Sequence, residues 1–262
     1  AARPNRPIIG IAMLSSPPLM QTSRDNWIGW NSFENLLVKM SEGAFTADEI
    51  VVSVYRQLEK SISSIRSEDF NITKKDLENP TDALINNLKT LEKRFKDERI
   101  IELENEKRGI ISKDSQNKSL KKNIDGSIDW EANSGTKLFK AKRAGSLSLL
   151  LESKKYFNEI NLKKNPKIGL GYIYKSSRGK SLFQRIIKDI ATDILSSQVA
   201  DISVCGSIAP YSEIIGGKLV TLLMTSQEMR NLYKKRYKNY PSIIASQKAG
   251  KTIKKSADLL LL

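Results

Sequence analysis

Two scarce residue types limit the chemistry open to this sequence: its 262 residues include no histidine and a single cysteine, Cys205. This excludes a Ser-His-Asp triad, a Cys-His dyad and histidine-ligated zinc or haem within the chain. It also excludes an internal disulfide, a thiolate zinc site and an iron–sulfur cluster. Catalysis would have to use carboxylates, tyrosine, lysine, serine, backbone amides or an external metal. We take Asp25 and Tyr211 as candidate acid–base residues, and we predict no resident metal.

Asp25 lies in the segment 23–31, SRDNWIGWN, which combines two tryptophans, an Arg-Asp pair and a glycine. The segment fits neither a helical nor a strand period, so we predict an irregular loop. Loops held by a rigid scaffold often carry functional residues. The alternative is a structural loop with Trp27 and Trp30 in the core and Asp25 paired to Arg24 or capping a helix.

Gly216, Gly217 and Lys218 lie between a predicted strand at 200–211 and a long helix predicted within 212–237. Backbone amides at a helix start, with a lysine beside them, are suited to bind phosphate groups. We therefore take these three residues as a candidate cofactor site. The spacing is neither that of a Walker loop nor that of a dinucleotide-binding motif. The alternative is close helix–strand packing that only glycine permits.

The net charge of +15 at pH 7 is concentrated in two parts of the chain. Residues 137–188, the first basic block, contain 14 Lys and Arg with two acids, and residues 230–255, the second basic block, contain nine with none. Such basic surface is typical of proteins that bind polyanions. We predict nucleic-acid binding, DNA rather than RNA; a solvated face or an anionic membrane surface are the alternatives. The candidate contact residues are Arg24, Lys140, Lys142, Arg143, Arg178, Lys180, Lys234, Lys235 and Arg236.

The spacing of apolar residues and the positions of glycine and proline predict an α+β fold, a mixed sheet with flanking helices. A T-x-x-E capping box at Thr46 starts one of the helices. Polar residues 112–127 are predicted to be a loop or linker. The predicted helices are 46–66, 80–108, 136–157, 181–197 and the one within 212–237; the predicted strands are 7–16, 167–174, 200–211, 242–246 and the terminal ADLLLL.

Several segments resemble the DruA family of Druantia anti-phage systems. They are GIAMLSSP, RDNWIGWN, LFKAKRAGSLSLLL, the run from DISVCGSIAPYSEIIGGKL to KKRY, and PSIIASQKAG. The resemblance implies a cytoplasmic bacterial defence protein that acts with other Druantia components, among them a helicase-like subunit. The strand–glycine turn–helix order is also similar to the coenzyme A-binding half of GNAT acyltransferases. In that motif Glu213 replaces Gln or Arg, and Lys218 replaces the final Gly or Ala.

The resemblance divides the chain into three parts. Residues 1–40 hold the first strand and the RD-x-W-I-G-W segment of a GNAT-like core, 41–128 form a mainly helical insertion, and 129–262 form the α/β half with the strand–glycine turn–helix unit. Both ends look cut, so we expect a piece of a longer protein with a truncated C-terminus. No apolar run is long enough for a membrane helix.

The sequence leaves catalysis open. We favour a nucleic-acid-binding defence component. The alternatives are a GNAT-like acyltransferase with coenzyme A at Gly216 and Gly217, a metal-dependent nuclease, and a structural subunit whose helices at 46–108 bind a partner. The acids available to a nuclease are Asp25, Asp129, Glu131 and Asp201.

Overall fold

The computed structural model describes residues 8–110 and 120–262, which form twelve α-helices, one short 3-10 helix and one two-stranded antiparallel sheet. The fold is therefore α+β and mostly helical, with 63% helix. Within these residues, none of the helices is both long and apolar enough to cross a bilayer. In chain order the elements are β1 Gly10–Ser15, α1 Thr22–Ile28, α2 Phe33–Ser41, α3 Ala47–Ser63, the 3-10 helix Glu68–Phe70, α4 Lys74–Glu78, α5 Asp82–Lys107, α6 Trp130–Ser134, α7 Lys137–Glu159, α8 Pro166–Lys175, α9 Ser177–Leu195, β2 Asp201–Ser207, α10 Ser212–Met224, α11 Gln227–Tyr237 and α12 Ile243–Ala249.

The chain divides into two compact units. The smaller unit contains residues 8–22, 190–240 and 254–262, and the larger unit contains the described parts of 23–189 together with 241–253. The predicted division at residues 40 and 128 stays a prediction.

The larger unit is built around α7, which packs along α5 and also contacts α3 and α12. Leu147, Leu151 and Phe157 of α7 are fully buried. Phe183 of α9 meets both Phe157 and Phe33 edge-on, with ring centroids 6.1 and 5.0 Å apart. Burial of such aromatic and aliphatic side chains is the main stabilising term of this unit.

Two predicted helices of this unit are confirmed. Helix α3 begins with the predicted capping box: the Glu49 amide donates to Thr46 Oγ1 at 3.2 Å, and Glu49 Oε2 accepts from the Thr46 amide at 2.8 Å. Helix α5 begins at Thr81, whose hydroxyl accepts from the Leu84 amide. Residues 112–119 of the predicted loop lie outside the described residues, and 120–127 form a turn closed by a bridge between Lys122 and Ile128.

The smaller unit contains the sheet. Strands β1 and β2, both predicted, pair antiparallel from Gly10↔Ser207 to Ser15↔Asp201, with one irregularity after Met13. Helix α10 packs on this pair, and Gly10 is the point of closest approach: a Cβ there would lie 2.5 Å from Val220 Cγ2. A two-stranded sheet is marginal alone, so this helix is needed to stabilise it.

The predicted strand at 167–174 is wrong, since these residues belong to α8. Pro166 occupies the first turn of that helix, where a missing amide hydrogen costs nothing. Gly169, Leu170 and Ile173 are its buried residues, a helical and not an alternating pattern. A Cβ on Gly169 would lie 2.6 Å from Leu162 Cδ1, so glycine at this position allows close packing.

Three further predictions at the local level are corrected. Residues 242–246 begin α12, whose apolar Ile243 and Ile244 are exposed. The segment 23–31 contains helix α1 and is not an irregular loop. The terminal ADLLLL makes an isolated bridge, Val199↔Leu261, and no strand.

The long helix predicted within 212–237 is two helices, α10 and α11. The mixed sheet is not found in the described parts of the chain, where two antiparallel strands form the sheet. A GNAT-like core is therefore not confirmed.

Candidate nucleic-acid interface

The glycine pair of the candidate cofactor site lies inside α10 and not at the end of a strand. Gly216 has φ 59° and ψ 179°, which breaks the helix after its first turn. Only glycine adopts this conformation without strain. Gly217 and Lys218 follow on the exposed side, and Thr221 Oγ1 donates to the Gly217 carbonyl at 3.2 Å. The structure thus gives Gly216 a conformational role, and coenzyme A binding stays a prediction.

The two candidate acid–base residues belong to different units. Asp25, in the larger unit, accepts from Arg24 Nη2 at 2.8 Å, and both side chains are largely buried. The pairing of Asp25 with Arg24 matches that part of the alternative reading. The placement of both tryptophans in the core is wrong, since Trp27 is 77% exposed and Trp30 is half-buried. Tyr211, in the smaller unit, is half-buried at the start of α10, and its phenol has no hydrogen bond within the described residues. Neither placement by itself indicates catalysis.

The acids considered for a nuclease do not converge. Within residues 8–110 and 120–262, no group of three or more carboxylates, histidines or cysteines is placed to hold a metal ion. Asp129 caps α6 by accepting from the Ala132 amide at 2.9 Å. Glu131 pairs with Arg66 at 2.8 Å, so its carboxylate has a structural partner.

The first basic block is largely engaged in ion pairs inside the larger unit. At least seven of its 14 basic side chains lie within 4 Å of a carboxylate in the described chain, and most of these carboxylates come from residues 34–98. The pairs are Lys137–Glu98, Arg143–Asp69, Lys154–Glu59, Lys155–Asp82, Arg178–Glu152, Lys180–Glu34 and Arg185–Asp189. A paired base gains less from a phosphate, because it must first give up its carboxylate.

Arg143 illustrates how the sequence misleads here. Its side chain is 0% exposed, donates to the Ser134 carbonyl at 2.9 Å and pairs with Asp69. A buried guanidinium held in this way has no surface to offer a nucleic acid, so the structure places this candidate in the core. Burial lowers the pKa of Arg143, and Asp69 opposes that effect.

The other candidates of this block lie at or near the surface. Lys142 is exposed, and its ammonium is 5.2 Å from the Phe139 ring centre. Lys140 is half-buried near Phe95. Lys180 donates to Glu34 at 2.7 Å, and Arg178 binds Glu152 through Nε and Nη2.

The second basic block is organised differently, because its densest part is the exposed helix α11. Helix α11 has no buried residue, and its last turn contains Lys234, Lys235 and Arg236. Cations at this end complement the helix dipole. Lys234 pairs with Asp258 at 2.6 Å, whereas Lys235 and Arg236 are exposed with no carboxylate within 4 Å in the described chain.

Three tyrosines lie in or next to α11; one fixes the helix in place, and the other two are exposed beside its basic residues. The Tyr233 hydroxyl donates to the Ser197 carbonyl at 3.2 Å and so binds α11 to the end of α9. Its ring lies 4.7 Å from that of Tyr237. Tyr237 is 46% exposed and Tyr240 is 66% exposed, so both rings are available for stacking beside Lys238. We call Lys235, Arg236, Lys238, Tyr237 and Tyr240 the α11 patch.

Family comparison covers this region. Residues 178–256 match the family model described as Druantia protein DruA. This segment is similar to the DruA family. It confirms the resemblance seen in the sequence over just under a third of the chain, and it indicates a component of Druantia anti-phage defence. No curated protein and no solved structure matches the chain.

The matched segment contains most of α9 together with β2, α10, α11 and α12, and therefore the whole of the α11 patch. The sequence indicated Lys235 and Arg236 but not Lys238, which lies one residue beyond the helix end. The run KKRYK with a tyrosine inside it was a sufficient signal for all three.

Proposed function

We propose that this chain is a nucleic-acid-binding component of a Druantia anti-phage system, and that the α11 patch binds the phosphate backbone of DNA. The carrying observation is that Lys235, Arg236 and Lys238 are exposed and have no carboxylate within ion-pair distance in the described residues. The family match supports the defence role, with other Druantia proteins, a helicase-like subunit among them, as partners.

The chemistry follows from counterion release. Each phosphate that a lysine or arginine neutralises frees condensed cations from DNA, and that release drives binding without reading sequence. A lysine or arginine that has no carboxylate partner gives this gain in full. Tyr237 and Tyr240 add ring faces on which unpaired bases stack, which favours single-stranded or frayed DNA over an intact duplex.

The test is fluorescence anisotropy on the full chain, with single-stranded and duplex DNA over a range of salt concentrations. The triple variant Lys235→Gln, Arg236→Gln, Lys238→Gln is expected to bind about 10–100-fold more weakly and to lose roughly 2–3 units of the log–log salt slope. These side chains are exposed, so the fold is expected to stay intact.

A matched control removes the same charge elsewhere. Lys164, Lys167 and Lys175 of the larger unit are exposed and have no ion pair among the described residues. The triple Gln variant of these lysines is expected to leave the salt slope within about one unit of wild type. Equal losses of DNA affinity in both triple variants would show that positive charge anywhere on the surface binds DNA, which contradicts the proposal. An absence of wild-type binding at low salt would also contradict it.

A further inference from the structure

Three helices of the larger unit bring basic side chains to one place around Lys248. Lys142 and Ser146 lie four residues apart on α7, and so on one face of it. Arg185 and Asp189 have the same spacing on α9 and form an ion pair at 3.5 Å. Lys248, in α12, donates to Ser146 Oγ at 3.1 Å, and the charges of Lys142, Arg185 and Asp189 all act on its ammonium.

Lys248 differs from the two buried bases of this unit. Arg143 pairs directly with Asp69, and Lys154 pairs with Glu59 at 2.9 Å. Lys248 is half-buried, yet its bonded partner is a neutral hydroxyl, and no carboxylate of the described chain lies within 4 Å of its ammonium. Taking a cation out of water costs free energy unless an anion or good hydrogen bonds compensate.

The surrounding charges do not supply that compensation. Burial lowers the pKa of Lys248; Asp189 raises it, while Arg185 and Lys142 lower it further. Asp189 is shared with Arg185, so three cations face one carboxylate. The charges that act on the half-buried ammonium are therefore mostly positive, and the side chains of Lys142 and Arg185 are exposed.

We propose that Lys142, Arg185 and Lys248, with the hydroxyl of Ser146, form a phosphate-binding site in the larger unit. A phosphate oxygen would accept from the Lys248 ammonium and the Ser146 hydroxyl, and the two exposed bases would neutralise the remaining charge. The ligand class is a nucleotide phosphate, free or within a polynucleotide. This site shares no residue with the α11 patch and does not depend on it.

The experiment uses thermal unfolding of the full chain with inorganic phosphate, ATP or a short DNA duplex, each at fixed ionic strength. Wild type is expected to be stabilised by phosphate and more strongly by ATP. Lys248→Met is expected to unfold at the same or a higher temperature without ligand, because a desolvated charge is removed, and to bind phosphate about tenfold or more weakly. Lys167→Met, an exposed lysine of the same unit, is the control and keeps the wild-type response.

Two further measurements test the phosphate site independently of Lys248→Met. Lys142→Gln, at an exposed position, is expected to weaken phosphate binding severalfold without affecting the fold. Wild-type binding is expected to fall as pH rises through the lowered pKa of Lys248, since the neutral amine loses its charge. Competition by the duplex identifies a polynucleotide phosphate as the ligand, and tight ATP binding without competition identifies a free nucleotide.

The results that overturn the proposal are specific. Wild type that responds to neither phosphate nor ATP overturns it, and so does an unchanged response in both Lys248→Met and Lys142→Gln. Both outcomes leave DNA binding by the α11 patch unaffected, because that is read by the α11 triple variant alone.

Discussion

The two basic blocks resemble each other in sequence and differ in the folded protein. At least seven of the 14 basic residues in the first block are ion-paired within the described residues, against two of nine in the second, Lys234 and Lys255. The first block faces acids of the helices around it, and it helps to hold the larger unit together. The second block presents much of its charge to solvent on α11, where a polyanion could reach it.

The difference shows that a local net charge in a sequence is not a surface charge. The acids that neutralise the first block lie mostly in residues 34–98, far away along the chain. Nothing within 137–188 indicates them. Helix α5 packs along α7 and places Asp82 and Glu98 opposite Lys155 and Lys137. The comparison therefore predicts stability effects for the first block and binding effects for the second.

The largest effect is expected from Asp69→Asn, which removes the carboxylate from buried Arg143. The uncompensated guanidinium is expected to cost about 3–5 kcal/mol of unfolding free energy, measured by urea denaturation. Glu68→Gln, at an exposed neighbour, is the control and is expected to cost under about 1 kcal/mol. Unchanged stability in Asp69→Asn would show that Arg143 is not a structural charge.

The elements with local sequence signals could be predicted, whereas features that depend on packing could not. Helices α3 and α5 and strands β1 and β2 were predictable, because caps and periodicity are local signals. The strand at 167–174 failed because a short apolar run suits a helix as well as a strand. The burial of Gly169, Leu170 and Ile173, which distinguishes the two, is visible only in the folded protein. Lys235 and Arg236 were indicated by composition, whereas the burial of Arg143 required knowledge of where Asp69 lies.

A smaller effect is expected from Glu152→Gln in the first block. Glu152 is 12% exposed and accepts from Lys89 at 2.7 Å and from Arg178 at 2.8 Å. Burial would raise the pKa of Glu152, but these hydrogen bonds and charges lower it overall. The carboxylate therefore stabilises the fold above its unfolded pKa, and this contribution is lost as pH falls through the lower folded pKa.

We expect Glu152→Gln to lose about 1–2 kcal/mol at neutral pH, and the deficit to vanish as pH falls through the lowered pKa of Glu152. Denaturation curves at a series of pH values measure it. A deficit that persists unchanged in acid would mean that the side-chain shape, and not its charge, is responsible.

Tyr233→Phe tests how α11 is held. The change removes the hydrogen bond to the Ser197 carbonyl and is expected to cost about 1 kcal/mol of unfolding free energy. Burial and the neighbouring Tyr237 raise the pKa of Tyr233, so its phenol is expected to titrate above the ordinary tyrosine range in an absorbance titration. Tyr237→Phe, whose hydroxyl has no hydrogen bond within the described chain, is the control; equal losses would contradict the role of Tyr233.

The smallest effect is expected at Asp258, the acid that pairs with Lys234 in the second block. The hydrogen bond from Lys234 holds the pKa of Asp258 below its ordinary value, with Ser256 contributing, so the carboxylate is ionised at neutral pH.

Asp258→Asn removes that negative charge and makes Lys234 resemble its unpaired neighbours Lys235 and Arg236. If the second block binds DNA through basic side chains that have no carboxylate partner, the affinity for DNA is expected to increase severalfold. The salt slope is expected to increase by up to about one unit, since one more basic side chain is available to a phosphate. Because the pair is exposed, little stability is at stake. An unchanged affinity and slope would mean that Lys234 already contacts DNA despite its carboxylate, and pairing would then no longer separate the two blocks.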